Sequence, residues 1–131
     1  MSKSISPPVR PLQFEHRRFK VYESAGVFIK LAHELASALP PGNATLSDQL
    51  RRASISVCLN IAEGAGEFRP LEKARFYRIA RRSATECAAI LDILQCLDVV
   101  ADRDLGPGEQ ILLEIVSMLT GLIKSLEVGK G

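Results

Sequence analysis

Three clusters of helix-breaking residues cut this chain into four stretches, and each stretch carries apolar residues at helical spacing. The first break is Pro40-Pro41-Gly42. The second runs from Gly64 and Gly66 to Pro70. The third is Asp102-Arg103-Asp104-Leu105-Gly106, followed by Pro107. Proline supplies no backbone donor and restricts the residue before it, so a helix cannot run through such a cluster undisturbed. Helix one is expected over 21–39, where Tyr22, Ala25, Ile29, Ala32, Leu35, Ala36 and Leu39 recur at the right interval. Helix two should begin after Thr45, with Thr45 and Asp48 as a capping box, and last to Gly64 or Gly66. Helix three should start at Pro70, a favoured first residue, and reach Val99. Residues 102–106 read as a loop. Pro107 then opens helix four, with Ile111, Leu112, Ile115, Leu119, Leu122, Ile123 and Leu126 on one side and Gly129 as its stop.

A chain of 131 residues is one domain's worth, long enough to bury a core without disulfides or a metal. Aromatic residues are only 5% and tryptophan is absent, so Leu, Ile, Val and Ala must fill that core, a palette that suits helices. Four helices on short connections pack as sequential neighbours. The fold class expected is all-α, an antiparallel up-down four-helix bundle over 19–128. Residues 1–18, with Pro7, Pro8 and Pro11 among Lys3, Arg10, Arg17 and Arg18, read as a basic arm without regular structure. Residues 1–20 hold no continuous apolar segment of the secretory kind, and no stretch approaches the ~20 apolar residues of a membrane span. Cys58, Cys87 and Cys96 are odd in number, without a C-x-x-C pair, and fall on apolar or small-residue faces. They fit free thiols in a reducing cytoplasm.

Net charge is only +2, but its distribution is uneven. Residues 51–85 carry eight basic and three acidic groups, whereas 86–131 carry three basic and eight acidic. On helix three, Arg75, Arg78 and Arg82 lie within about 60° of one another, with Arg81 beside them. Arg51, Arg52, Arg69 and Lys73 are near in sequence. Two readings stand: a phosphate-binding surface, for which the arginine fork is suited, or a solvated face whose arginines pair with acidic residues of the C-terminal third across a subunit interface.

Helix two sorts into three faces. Leu46, Leu50, Ala53, Val57, Ile61 and Gly64 form the core stripe. Ile55 and Leu59 lie nearly opposite, where a lone surface helix should be polar. Such a second apolar face calls for a wide core or another subunit. Between the two, Gln49, Arg52, Ser56, Asn60 and Glu63 occupy an arc of about 80°. This polar ladder is either a set of paired groups fixing helix register or a subunit interface, or a site for a ligand or nucleic acid. Catalytic signatures are lacking: the chain has no phosphate loop, no H-E-x-x-H and no zinc spacing. His33 reads as a rim residue. Glu63 and Glu86 lack the Glu-x-x-His partner of a di-iron bundle. No enzyme activity, cofactor or metal is expected.

The run Gln49-Leu50-Arg51-Arg52-Ala53-Ser54-Ile55-Ser56, then Asn60-Ile61-Ala62-Glu63-Gly64, then Arg75-Phe76-Tyr77-Arg78-Ile79-Ala80 with Ser83 and Glu86, resembles the four helix bundle protein family. That family includes proteins encoded in intervening sequences of bacterial large-subunit ribosomal RNA genes. A related branch comprises accessory proteins of diversity-generating retroelements. The resemblance runs from about Phe19 to Leu126. It implies a ring-like homopentamer of four-helix bundles without known catalytic activity, associated with RNA or DNA or with a nucleoprotein partner. The chain departs from the family pattern at Tyr22, in place of a common Trp, at Glu67, in place of Arg, and at Arg82, in place of Gly. On this reading Arg51, Arg52, Arg75, Arg78, Arg81 and Arg82 are the candidate nucleic-acid contacts.

Overall fold

The computed structural model describes residues 15–128. A one-turn 3-10 helix, Glu15–Arg18, leads into four α-helices: α1 (Lys20–Ala38), α2 (Ala44–Ala65), α3 (Pro70–Cys96) and α4 (Asp102–Val128). There is no strand among the described residues. Each helix packs on the two beside it, in the cyclic order α1, α2, α3, α4, and the backbones of the diagonal pairs stay apart. The chain is therefore an all-α four-helix bundle. Numbering rises on one helix as it falls on its neighbour: Arg52 meets Glu86 and Ser56 meets Ser83, whereas Arg78 meets Glu127 and Arg81 meets Thr120. Residues 1–14 of the basic arm and the stop at Gly129 lie outside the described residues. The 3-10 turn packs on α1 and α2, with the His16 ring edge-on to Tyr22 at 4.6 Å.

Three boundaries differ from the sequence expectation. The Thr45–Asp48 capping box does not form, because α2 already starts at Ala44, so Thr45 lies inside it. Asn43 precedes the helix, and its Nδ2 donates back to the Pro40 carbonyl at 2.9 Å instead of capping α2. Helix α3 stops at Cys96, short of Val99. There Asp98 takes a left-handed conformation (φ 56°), which lets the Val99 N–H reach back to the Leu94 carbonyl at 3.3 Å. A short polar side chain tolerates that geometry better than a branched one. The largest difference is at 102–106, which is the first turn of α4 and not a loop, with Pro107 inside the helix. Leu105 is buried and draws this turn onto the bundle, while Asp102 and Asp104 suit the positive end of a helix. Pro107 is the sixth residue of α4, so its missing N–H forfeits one intrahelical bond, to the Arg103 carbonyl, a loss set against the burial of Leu105.

The core is built of small and aliphatic residues. Ala53, Val57 and Ile61 of α2, Ala74, Ala80 and Ala84 of α3, and Ile115 and Leu119 of α4 are wholly buried. Phe28 and Tyr77 are its two large aromatic members. Gly64 exists for Tyr77: a Cβ at this position would lie 2.6 Å from the Tyr77 Cε1 and 2.8 Å from its Cδ1. Below that glycine, Lys73 Nζ donates to the carbonyls of Gly64 and Ala65, both at 3.0 Å, and so closes the end of α2 with a cation at its negative pole. Cys87 is buried and Cys58 half-buried, in keeping with apolar faces, but Cys96, the last residue of α3, is exposed.

Two measurements test this core. The ring atoms facing Gly64 belong to a side chain only 2% exposed, so Tyr77 cannot swing aside. Gly64→Ala should cost ~1–3 kcal/mol of unfolding free energy by denaturant titration, despite alanine's better helix propensity. Burial also pushes the Tyr77 hydroxyl from 10.0 up to about 12. The Cys87 thiol rises from 9.0 to about 12, by burial first and the neighbouring Glu86 second, against a lowering by Arg52. Both groups stay protonated longer folded than unfolded, so their contribution is complete below pH ~9 and is lost as pH rises toward ~12. The melting temperature should therefore fall above pH ~9, and Tyr77→Phe, which keeps the ring, should soften the decline above pH ~10.

Candidate functional site

Helices α2 and α3 share the most extensive contact in the bundle, and the polar ladder lies along its outer edge. Ser56 Oγ and Ser83 Oγ share a hydrogen bond at 2.8 Å. Asn60 Nδ2 donates to the Ser56 carbonyl at 2.9 Å and to its Oγ at 3.2 Å. One turn above, Arg52 donates to Glu86 at 2.8 Å. The ladder's centre is thus a half-buried set of paired groups that joins α2 to α3 within one chain. Gln49 and Glu63 stand exposed at its two ends and take no part in it. Ser83 and Glu86, far away in sequence, complete it from α3.

The six candidate arginines do not form one surface. Arg51 turns toward α1, where it donates to Ser37 Oγ at 3.1 Å and lies 3.9 Å from Asp48. Arg81 is half-buried and donates to Thr120 Oγ1 of α4 at 3.2 Å. Arg78 also leans to α4 and bonds Glu127 at 2.6 Å. Arg75 bonds Glu72 one turn back at 3.1 Å, with its guanidinium 4.5 Å from the centre of the Phe76 ring. Arg82 is exposed between these. Arg52, Arg75, Arg78 and Arg82 therefore mark an outward face across α2 and α3, while Arg51 and Arg81 lie to its sides. The arginine–carboxylate pairs here are made inside one chain. Phe68, in the turn between α2 and α3, is 95% exposed beside exposed Arg69. Sequence reasoning passed over it. Its only signal is an aromatic residue placed in a turn.

Elsewhere the structure offers little chemistry. His33 Nδ1 donates to the Ile29 carbonyl at 2.9 Å along α1. Among the described residues no three His, Cys, Asp or Glu side chains gather as metal ligands. Burial raises the Cys58 thiol, and a hydrogen bond with Tyr22 partly offsets the rise, so neither it nor Cys87 is poised as a nucleophile. Among the described residues no helix is long and apolar enough to cross a membrane.

A double-mutant cycle at Ser56 and Ser83 measures what holds the ladder. Each single serine-to-alanine change should cost ~0.5–1.5 kcal/mol, because it removes the hydroxyl–hydroxyl bond of a half-buried seam, even though Ser56 Oγ still accepts from Asn60 when Ser83 is changed. The double variant should cost less than the sum, and strict additivity would mean that the hydroxyls do not cooperate.

No curated protein matches the chain. Among protein families, residues 17–121 match the family described as 23S rRNA-intervening sequence protein. That match takes in α1, α2, α3 and most of α4, including both halves of the polar ladder. The chain belongs to the 23S rRNA-intervening sequence protein family.

Proposed function

We propose that this protein performs no catalysis and works as a homo-oligomer, the pentamer implied by its family resemblance, which binds RNA or DNA, or a nucleoprotein, through the outward arginines of α2 and α3. The carrying observation is the state of those arginines. Their carboxylate partners, Glu72, Glu86 and Glu127, are all at least 38% exposed. Exposed ion pairs are worth ~0–1 kcal/mol, so a phosphate can displace or share them. A guanidinium has five donors, and Arg52 and Arg78 each spend one on the carboxylate. Arg82, exposed at the centre of the face, has no partner among the described residues. At the end of the same face, Phe68 beside Arg69 and the Arg75–Phe76 pair supply aromatic surface for an unpaired base. Repetition around an oligomer multiplies individually weak contacts through effective concentration. The family's printed name, which ties its members to 23S ribosomal RNA, supports an RNA context.

A second reading has one observation in its favour. Arg52–Glu86 and Arg78–Glu127 tie helices of the same bundle together, as expected of a protein–protein adaptor whose arginines serve architecture. Binding to RNA and DNA at low and physiological salt separates the two. Wild type should bind at low salt and weaken steeply as salt rises. Arg75→Glu with Arg82→Glu should keep its helicity and its mass, lose at least about tenfold in affinity, and show a salt slope flatter by ~0.9 per phosphate contact removed. No binding by wild type at low salt would sink the nucleic-acid reading. A variant that falls into smaller species would move those arginines to the assembly.

A further inference from the structure

Among the described residues, Phe68 is the most exposed of the large apolar side chains. A ring of this size ordinarily finds cover, and here the backbone beneath it is tied on both sides. At the end of α2 the Gly66 N–H donates to the Ala62 carbonyl at 3.1 Å and the Glu67 N–H to the Gly64 carbonyl at 3.2 Å. The N–H of Phe68 itself donates to Glu67 Oε1 at 3.1 Å. Beyond it, Pro70 opens α3 with its backbone angle fixed by its own ring, and the Lys73 N–H donates to the Arg69 carbonyl at 2.9 Å. A short, hydrogen-bonded turn thus holds the ring out in water. Its neighbours are cationic. Arg69 is exposed, and its guanidinium has no partner among the described residues. Arg75, on the second turn of α3, lies over the Phe76 ring. The two carboxylates nearby are engaged, Glu67 with the Phe68 N–H and Glu72 with Arg75.

We propose that Phe68 is a stacking platform for one unpaired base, so that the ligand of the arginine face is a single-stranded stretch and not a duplex. This rests on the nucleic-acid reading above and adds the class of ligand and the residue that selects it. The first argument is the company the ring keeps. A flat aromatic face with guanidinium groups before and after it is the combination single strands use, the ring for the base and the cations for its phosphates. A lipid surface or a protein groove would need a broader apolar patch, whereas Leu71 is the only other exposed large apolar side chain in this turn. The second argument is access. In a duplex each base is covered above and below by its neighbours, so a ring on a rigid turn finds no free base face there, whereas an unpaired base in a loop, bulge or end offers one. The third argument is the path onward. From this end of the bundle α3 carries Arg75 and, two turns or about 10 Å further, Arg82. A strand anchored by its base at Phe68 runs along α3 with its phosphates on that row.

The test uses full-length protein with three polyanions: an oligouridylate, an RNA duplex of the same length, and inorganic polyphosphate, which has charge but no bases. Wild type should bind the single strand more tightly than the duplex. Phe68→Ala should lose about tenfold in affinity for the oligouridylate and leave duplex and polyphosphate binding unchanged. Its salt slope should equal that of wild type, because no cation is removed. Helicity, mass and melting temperature should also stay, since an exposed ring gives up no packing. The chain has no tryptophan, so Phe68→Trp places a single reporter on the turn. Its emission should be quenched by the oligouridylate and not by polyphosphate. Unchanged single-strand affinity in Phe68→Ala, or an equal loss on the duplex, would overturn the proposal. A fall in assembled mass would assign the ring to a contact between copies, and a blue shift with phosphatidylserine vesicles without quenching by oligouridylate would assign it to a lipid surface, either result overturning it too. Wild type that binds none of the three polyanions would remove the nucleic-acid reading itself, an outcome read before any variant is made.

Discussion

The close approach of α2 to α3 is the contact on which the rest of the bundle depends. It is possible because the facing side chains are small: Ala53, Val57 and Gly64 on one helix, Ala74, Ala80, Ala84 and Cys87 on the other. Small residues bury little area each, so the seam needs a large member to fill it, and Tyr77 serves, with its Cδ1 and Cε1 against Gly64. This arrangement tolerates no methyl group at residue 64. It also leaves backbone carbonyls of α2 near α3, where Lys73 satisfies two of them. One glycine, one tyrosine and one lysine thus set the spacing, the register and the end of the helix together. The serine pair higher up fixes the same register with a directional contact that apolar packing alone does not provide.

Much of the fold is legible in the sequence because helical periodicity and breakers are local signals. Where reading failed, distant atoms decided. Residues 102–106 carry two aspartates, a glycine and a following proline, all loop chemistry in isolation. They are helical because Leu105 finds a buried place against the bundle. Val99 looks like the natural end of an apolar run, yet α3 stops earlier because Asp98 adopts a left-handed turn that only the local hydrogen bonds to Leu94 and Gln95 reveal. The polar ladder was half visible. Its α2 members fall on one arc by arithmetic, but Ser83 and Glu86 pair with them only once α3 is laid alongside.

Charge patterning is where sequence and structure diverge in meaning. A basic middle and an acidic end suggest attraction between subunits, but the bundle brings α4 back along α3, so Glu127 reaches Arg78 within one chain. Intrachain pairing lowers the positive field of the α3 face without removing the guanidinium groups from solvent. A surface made this way should attract polyanions weakly at long range and hold them at short range, where bidentate arginine contacts to phosphate replace single bonds to carboxylate.

The arginine face lies across the outer edge of α2 and α3, and the exposed Ile55 and Leu59 stand on the outer face of the same α2, with Ile55 one turn after Arg52. The polar ladder, to which Arg52 belongs, is held within the chain, where it keeps α2 and α3 from rotating against each other. Paired hydroxyls and a glycine–tyrosine contact restrain that rotation more strictly than alanines sliding on alanines, so a single seam fixes where on the surface the arginines of both helices stand.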